Sequence, residues 1–167
     1  MKIHKADYMV LRLFALTLTT LLFAAFARAD SSDARELDRL FARSTLQIAT
    51  PDARLHKFSI WVADNDARRA RGLMFIRELR DEEGMLFIYP EVQPVSMWMK
   101  NTYVPLDMLF VRADGRIERV AENTTPHSLE TIASGKPVMA VVELKGGSAA
   151  RLKIRPGAQV IHPAFSP

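Results

Sequence analysis

Two carboxylates stand inside otherwise apolar runs of the sequence: Asp107 in LDMLFV and Glu143 in VMAVVEL. Each needs a cation or several hydrogen-bond donors, because burying a carboxylate alone is costly. For Glu143 the candidate partners are Lys100, Arg69 and Arg71. The two carboxylates could form a general acid–base pair, or they could hold a network of strands together. The structural role is favoured, since ion-pair networks also hold carboxylates in such positions.

The lysine belongs to the run SMWMKNTYVPLD, residues 96–107. Strand alternation divides this run into a methionine face and a second face with Trp98, Lys100 and Thr102. An aromatic ring beside a cation and a hydroxyl is typical of a surface that binds a polar ligand. A half-exposed strand without a ligand would use the same residue types. The predicted ligand-binding residues are Arg71, Trp98, Lys100, Asn101, Thr102, Asp107 and Glu143.

The residue pattern gives little support to other chemistry. The chain has no cysteine, which excludes disulfides and thiolate-ligated zinc. Its four histidines stand apart, and it contains neither a Gly-x-Ser-x-Gly nucleophile elbow nor a phosphate-binding glycine loop. Methionines between Met74 and Met139 could bind Cu(I), but methionine more often fills gaps in a core. We therefore predict no catalytic residue, no metal and no cofactor.

The N-terminus has the order of a secretory signal. Basic residues come first, an uncharged apolar run follows at residues 13–27, and Ala27 and Ala29 have the spacing that a signal peptidase accepts. This order predicts a signal peptide at residues 1–29 and a periplasmic or secreted mature protein. Alternatively, residues 13–27 remain as an anchor in the inner membrane, although a span needs roughly 20 residues.

The charge balance argues against nucleic acid as a partner. The whole chain carries 23 basic and 19 acidic residues, a net charge of +4. Removing residues 1–29 takes away four basic residues and one acidic residue, which leaves 19 against 18, or +1. A nearly neutral mature chain lacks the excess of positive charge that binds phosphate backbones. The membrane is a predicted partner only through an uncleaved signal segment.

Short strands separated by turn signals dominate the rest of the chain. HKFSIWVAD, GMLFIYP, VSMWMKNT and PVMAVVEL read as strands, and Asp114–Gly115 is a signal for a type I′ hairpin turn. NDARRARGLM predicts a short helix that begins at Asn65 or Asp64 and ends at Gly72.

No helix of the length that parallel crossovers need separates these strands, so the pattern favours an all-β sandwich or barrel. We predict a mainly β domain at residues 45–167, a single compact sandwich or jelly-roll-like barrel with one or two short helices. The signal peptide precedes it, followed by a flexible N-terminal arm at residues 30–44, which is polar and charged at its start.

Several motifs occur together in a specific order: RARGLMF, EEGMLFIYP, VSMWMKNTYVPLDMLFV, TIASGKPVMAVVEL and GGSAARLKIRPG. From about Thr45 to His162 the chain resembles the uncharacterised family called domain of unknown function 192. The resemblance implies a compact all-β fold of sandwich or jelly-roll type, often exported behind a signal, and it carries no established activity. Three positions depart from the family pattern: Ile76 replaces a common arginine, and Lys153 and Ala158 replace a frequent glycine and aspartate.

Three functions are compatible with these observations. The first is a small exported binding module for a polar small molecule in the bacterial envelope, such as an anion or a sugar. The second is a structural or assembly partner of the envelope. The third is a hydrolase-type enzyme that uses Asp107 or Glu143. It is less favoured because the sequence lacks any nucleophile, metal or cofactor signature.

Overall fold

The structure is a computed structural model that describes residues 32–165. The predicted signal peptide and the possible membrane anchor lie outside the described residues. The chain divides into two units, Met1–Glu36 and Leu37–Pro167. In the described part, no helix combines the length and the apolar composition needed to cross a membrane.

The structure differs from the flexible arm predicted at residues 30–44. Residues 32–40 are helical and form α1, and the first strand begins at Ala42. Leu37 and Phe41 are buried, so the short apolar stripe of this segment contributes to the core. The stripe is too brief for its periodicity alone to predict the helix.

Strands are the main regular elements of the second unit. The described strands are β1 Ala42–Ala49, β2 Leu55–Ala63, β3 Glu83–Gln93, β4 Ser96–Met97, β5 Leu106–Val111, β6 Ile117–Thr124, β7 Ile132–Ala133, β8 Val138–Lys145 and β9 Gln159–Ile161. The short helices are α2 Asp66–Arg71, α3 Ser148–Leu152 and a 3₁₀ turn at Pro163–Phe165.

Seven strands form one mixed sheet in the order β6-β5-β8-β3-β2-β1-β9. The sheet curls into a half-barrel, and an isolated bridge between Arg116 and Gln159 joins its two edges at one end. The prediction of a mainly β chain with short helices is confirmed. The finer prediction of a sandwich or jelly-roll-like barrel stays a prediction. Bulges in the β3–β8 and β5–β6 pairs contribute to the curl, since a bulge increases local twist.

A parallel pair also departs from the predicted architecture. Strands β2 and β3 run parallel, whereas every other described pair is antiparallel. Residues 64–82 connect them, and only six of these residues are in α2. A crossover needs a dozen or more residues but not a long helix, which explains why the length argument failed.

Both faces of the sheet are buried at its centre. On one face, Leu86 of β3, Val142 of β8 and Leu109 of β5 are paired across the strands and belong to the main apolar cluster. On the opposite face the register places Glu143 directly between Met85 and Met108. Burial on both faces explains the near-continuous apolar runs in the sequence.

The predicted caps of α2 are confirmed. The side chain of Asn65 accepts a hydrogen bond from the backbone N–H of Arg68 (2.9 Å), and Gly72 ends the helix with φ of 45°. A Cβ at Gly72 would lie 3.2 Å from the ring of Phe87 on β3. The helix end is therefore fixed against the same sheet face as Glu143.

Two local predictions are wrong. A type I′ turn needs positive φ at both central residues, but of Asp114 and Gly115 only the glycine has it (77°). The strand predicted for VSMWMKNT reduces to β4, which pairs with β7. It ends there because the chain turns at residues 99–102, where the Thr102 N–H donates to the Met99 carbonyl (3.1 Å).

A substitution at Gly84 tests the close approach of β3 and β8. A Cβ there would lie 2.5 Å from the carbonyl oxygen of Glu143 and 2.8 Å from Cδ2 of Leu144. We expect Gly84→Ala to lower the free energy of unfolding by roughly 1–3 kcal/mol in urea denaturation, as overpacking does. Gly135→Ala is the control, since no atom lies within 4 Å and only its φ of 79° opposes a side chain. Wild-type stability of Gly84→Ala would contradict the packing argument.

Candidate functional site

A cleft of about 120 Å³ opens over the sheet face that carries Glu143. We call it the Glu143 cleft. Four parts of the chain build it: α2 with the residues that follow, β3, the segment 96–102, and β8. It is lined by Arg69, Ala70, Arg71, Gly72, Leu73, Met74, Phe87, Tyr89, Ser96, Met97, Trp98, Thr102 and Glu143.

Glu143 is a buried acid without a partner at the base of this cleft. Its side chain is in an apolar layer between Met85 and Met108, and the residue is only 4% exposed. Among residues 32–165, no donor or cation is bonded to its carboxyl group. Burial raises its pKa to about 8. At neutral pH the group is therefore mainly a carboxylic acid, which can both donate and accept a hydrogen bond.

Two arginines of α2 line the opposite wall, and backbone carbonyls fix both of them. Nη1 of Arg69 donates to the carbonyl of Ile88 (2.6 Å), and its Nη2 forms an ion pair with Asp66 (2.5 Å). Nη1 of Arg71 donates to the carbonyls of Gly72 and Met74. These bonds hold the two guanidinium groups at the cleft without the help of Glu143.

Aromatic side chains complete the cleft walls. The guanidinium of Arg69 lies 5.4 Å from the ring of Tyr89, whose hydroxyl donates to Sδ of Met97 (3.6 Å). Burial raises the pKa of Tyr89, so its hydroxyl keeps its proton well above neutral pH. Trp98 is 51% exposed at the rim, and Nζ of Lys100 lies 5.2 Å from its ring centroid.

Asp107 lies outside the Glu143 cleft and is completely buried. Its Oδ1 accepts from the backbone N–H groups of Asn123 (2.7 Å) and Gly147 (3.1 Å), and its Oδ2 accepts from that of Ala149 (2.7 Å). Three backbone donors satisfy the demand that its position in an apolar strand creates. These bonds join β5 to the end of β6 and to the start of α3.

The structure brings together some of the sequence-predicted ligand-binding residues and separates others. Those that line the cleft are Arg71, Trp98, Thr102 and Glu143, and Lys100 is outside the lining but contacts the ring of Trp98. Asn101 and Asp107 are not among the lining residues. Asn101 has a left-handed backbone (φ 54°), and its carbonyl accepts from the N–H of Phe75 (2.9 Å), which ties two loops together.

Tyr89, Met97 and Met74 also line the cleft, and sequence reasoning did not select them. Arg69 was considered only as a partner of Glu143. One signal was present, because Met85, Phe87 and Tyr89 alternate along β3 and therefore share one face. What the sequence did not show is that this face lies beside Glu143.

A second group of exposed rings lies near the cleft. Phe75 is 48% exposed and has φ of 67°, a strained value for a bulky residue. Its ring lies 6.4 Å from that of Tyr103, which in turn lies 5.0 Å from the ring of His127. The guanidinium of Arg71 lies 5.3 Å from the Phe75 ring and connects this group to the cleft.

The described residues offer little to metal or nucleophilic chemistry. Between residues 32 and 165, no three histidine, aspartate or glutamate side chains are grouped so that they could hold a metal ion. Ser44 and His162 lie 3.0 Å apart (Oγ to Nε2), as a nucleophile and its base would. However, Nδ1 of His162 accepts from the N–H of Ala164 (3.1 Å), so Nε2 carries the proton and cannot take one from Ser44.

A curled mixed sheet with a small polar cleft over its second face defines a class of compact, mainly β domains. Within that class the chain belongs to the domain of unknown function 192 family (DUF192, described as "Uncharacterized ACR"), whose sequence model matches residues 47–162. The resemblance noted from the motifs is thereby confirmed. A comparison with curated proteins found no match.

The solved structures similar to this chain include two bacterial proteins. One is a "putative transcription regulator" from Sinorhizobium meliloti 1021, with 40% identity and a TM-score of 0.73 over 74% of this chain and 96% of that one. The other is a protein of unknown function from Novosphingobium aromaticivorans DSM 12444, with 38% identity and a TM-score of 0.70 over 72% of this chain and 85% of that one.

Proposed function

We propose that this protein is a small binding module that holds a polar small molecule in the Glu143 cleft, and that it acts in the bacterial envelope after export. The observation that carries the proposal is a buried carboxylic acid without a partner, facing an open cleft. A buried polar group without a hydrogen bond costs stability, and a ligand that bonds to it removes this cost.

The neighbours of Glu143 indicate that packing alone would favour an apolar residue at this position, so the acid serves another purpose. Met85 and Met108 occupy equivalent positions on the flanking strands and are completely buried. An apolar residue at position 143 would continue this layer and stabilise the fold. A polar group that lowers the stability of the fold is typical of a binding site, because function and stability oppose each other there. Envelope location depends on the predicted signal at residues 1–29.

The exposed rings of Phe75, Tyr103 and His127 support a second candidate, an envelope assembly partner. Exposed aromatic side chains are enriched at protein interfaces. A hydrolase is less well supported, since three backbone N–H groups already bond to Asp107. The regulator description belongs to the S. meliloti protein, and no observation on the described residues of this chain favours DNA as a ligand.

Native mass spectrometry of the protein purified from its own cells tests the proposal. We expect a retained small molecule in the wild type and its loss in Trp98→Ala, which removes a wall of the cleft. Leu129→Ala is the matched control, because Leu129 is 68% exposed and lies outside the lining. Absence of any retained mass, or equal retention in both variants, would remove the binding function.

A further inference from the structure

We infer that the Glu143 cleft takes a small anion of the carboxylate class, with the Glu143 carboxyl group as a hydrogen-bond donor and the surrounding arginines as the counter-charge. This inference rests on the proposed function and adds the chemical class of the ligand. Its geometric basis is the arrangement of one buried acid and two fixed guanidinium groups around one small space, with Lys100 over the exposed ring of Trp98.

Apart from Glu143, the charged side chains among the lining residues are two arginines. Arg69 and Arg71 line one wall, and Lys100 lies over Trp98 at the rim. Asp66 offsets part of the charge of Arg69, but it is outside the lining and fully exposed to solvent. A guanidinium group presents five N–H donors in a plane that matches a carboxylate. The cleft therefore favours an anion over a cation.

Glu143 is compatible with an anion only as a neutral acid. Its flanking strands contribute Met85 and Met108, which carry no charge, and Tyr89 on β3 keeps its proton above neutral pH. The other charged groups that face the cleft are Arg69 and Arg71 of α2. Burial, with no partner, holds the acid in its protonated form at pH 7. A protonated carboxyl group can donate its hydrogen to a ligand oxygen, as an ionised one cannot.

The size of the cleft limits the ligand. Its volume of about 120 Å³ is far below the roughly 300–1,000 Å³ of pockets that enclose drug-sized molecules. The part of the ligand inside the cleft has only a few heavy atoms. A carboxylate with a short carbon chain satisfies both the charge and the volume.

Three small probes of nearly equal size test the class of ligand by ¹⁵N-resolved NMR titration of the whole protein. Acetate is the anion, acetamide its neutral isostere and methylammonium the cation. We expect acetate to shift the amide signals of Gly72, Tyr89 and Thr102 and to bind at least about tenfold more tightly than acetamide, which lacks the charge that a guanidinium pairs with. We expect methylammonium to leave these signals in place.

The pH dependence tests the role of Glu143. Because its pKa is about 8, the protonated fraction falls about tenfold between pH 7 and pH 9, and acetate affinity should fall by the same factor. Glu143→Gln cannot ionise and keeps an N–H donor, so it should remove this pH dependence. Glu143→Met has no donor and should lose acetate binding at both pH values.

Each other outcome has a defined meaning. Tighter binding of methylammonium or acetamide would overturn the anion class and leave the proposed binding function in place. If none of the three probes shifts the amide signals, the anion class is also overturned. The native mass spectrum then decides the binding function by itself. Acetate affinity that rises with pH would show that Glu143 does not act as a donor.

Discussion

Glu143→Met should make the protein more stable at alkaline pH, and the gain should be smaller in acid. The folded protein raises the pKa of Glu143 from its ordinary value of 4.5 to about 8. Between these two values the folded state binds a proton that the unfolded state has lost, so the stability of the wild type falls as pH rises. The contribution is complete below the unfolded pKa and is lost as pH rises through about 8. The lost stability is on the order of 4 kcal/mol.

Methionine at position 143 removes the ionisable group and continues the layer formed by Met85 and Met108. Urea denaturation at pH 4 and pH 9 measures the effect as the difference between the two free energies of unfolding. We expect that difference to shrink by most of the ~4 kcal/mol in Glu143→Met. Glu122→Gln, at an exposed position of β6, should retain the wild-type difference. A wild-type difference that persists in Glu143→Met would assign the pH effect to other groups.

Together with the acetate titration, this result separates binding from support of the fold. Replacing a residue that only supports the fold lowers the stability of the protein. Glu143→Met should instead gain stability while it loses binding, which is the signature of a group kept for a ligand.

Asp107→Asn should have the opposite effect and destabilise the protein strongly. The two carboxylate oxygens of Asp107 accept three backbone N–H groups in a completely buried position. Asparagine offers one carbonyl oxygen, and its NH₂ group would face at least one of the donors. Leaving buried donors unsatisfied costs about 1–3 kcal/mol each, so we expect a loss of roughly 3–5 kcal/mol.

Urea denaturation near pH 7 measures this loss. The matched control is Asp81→Asn, since Asp81 forms exposed ion pairs with Lys145 and Arg151 and should contribute little. Acetate should still shift the Gly72 and Thr102 amides in any Asp107→Asn sample that remains folded, because Asp107 is outside the cleft. A variant with wild-type stability that loses acetate binding would place Asp107 in the site after all.

The contrast between Asp107 and Glu143 shows what the sequence can predict about a site and what it cannot. Both stand in apolar runs, and the sequence predicts equally for each that it needs partners. The structure supplies three donors to Asp107 from Asn123, Gly147 and Ala149, which are 16 to 42 residues away. It supplies none to Glu143 from the described residues. The difference between a structural and a functional carboxylate is therefore a long-range property.

Local physics determined the strands and the caps of α2. Alternation and apolar runs predict strands because each residue of a strand faces one side of a sheet, and Asn65 and Gly72 bound α2 through contacts within a few residues. Tertiary structure decided the curl of the sheet, the parallel pairing of β2 with β3 and the membership of the Glu143 cleft. These depend on which distant segments meet, and a single sequence contains no local signal for such encounters. The sequence by itself thus identified Glu143 as a residue that needs a partner. Only the fold showed that the described residues supply none and placed a polar cleft beside it.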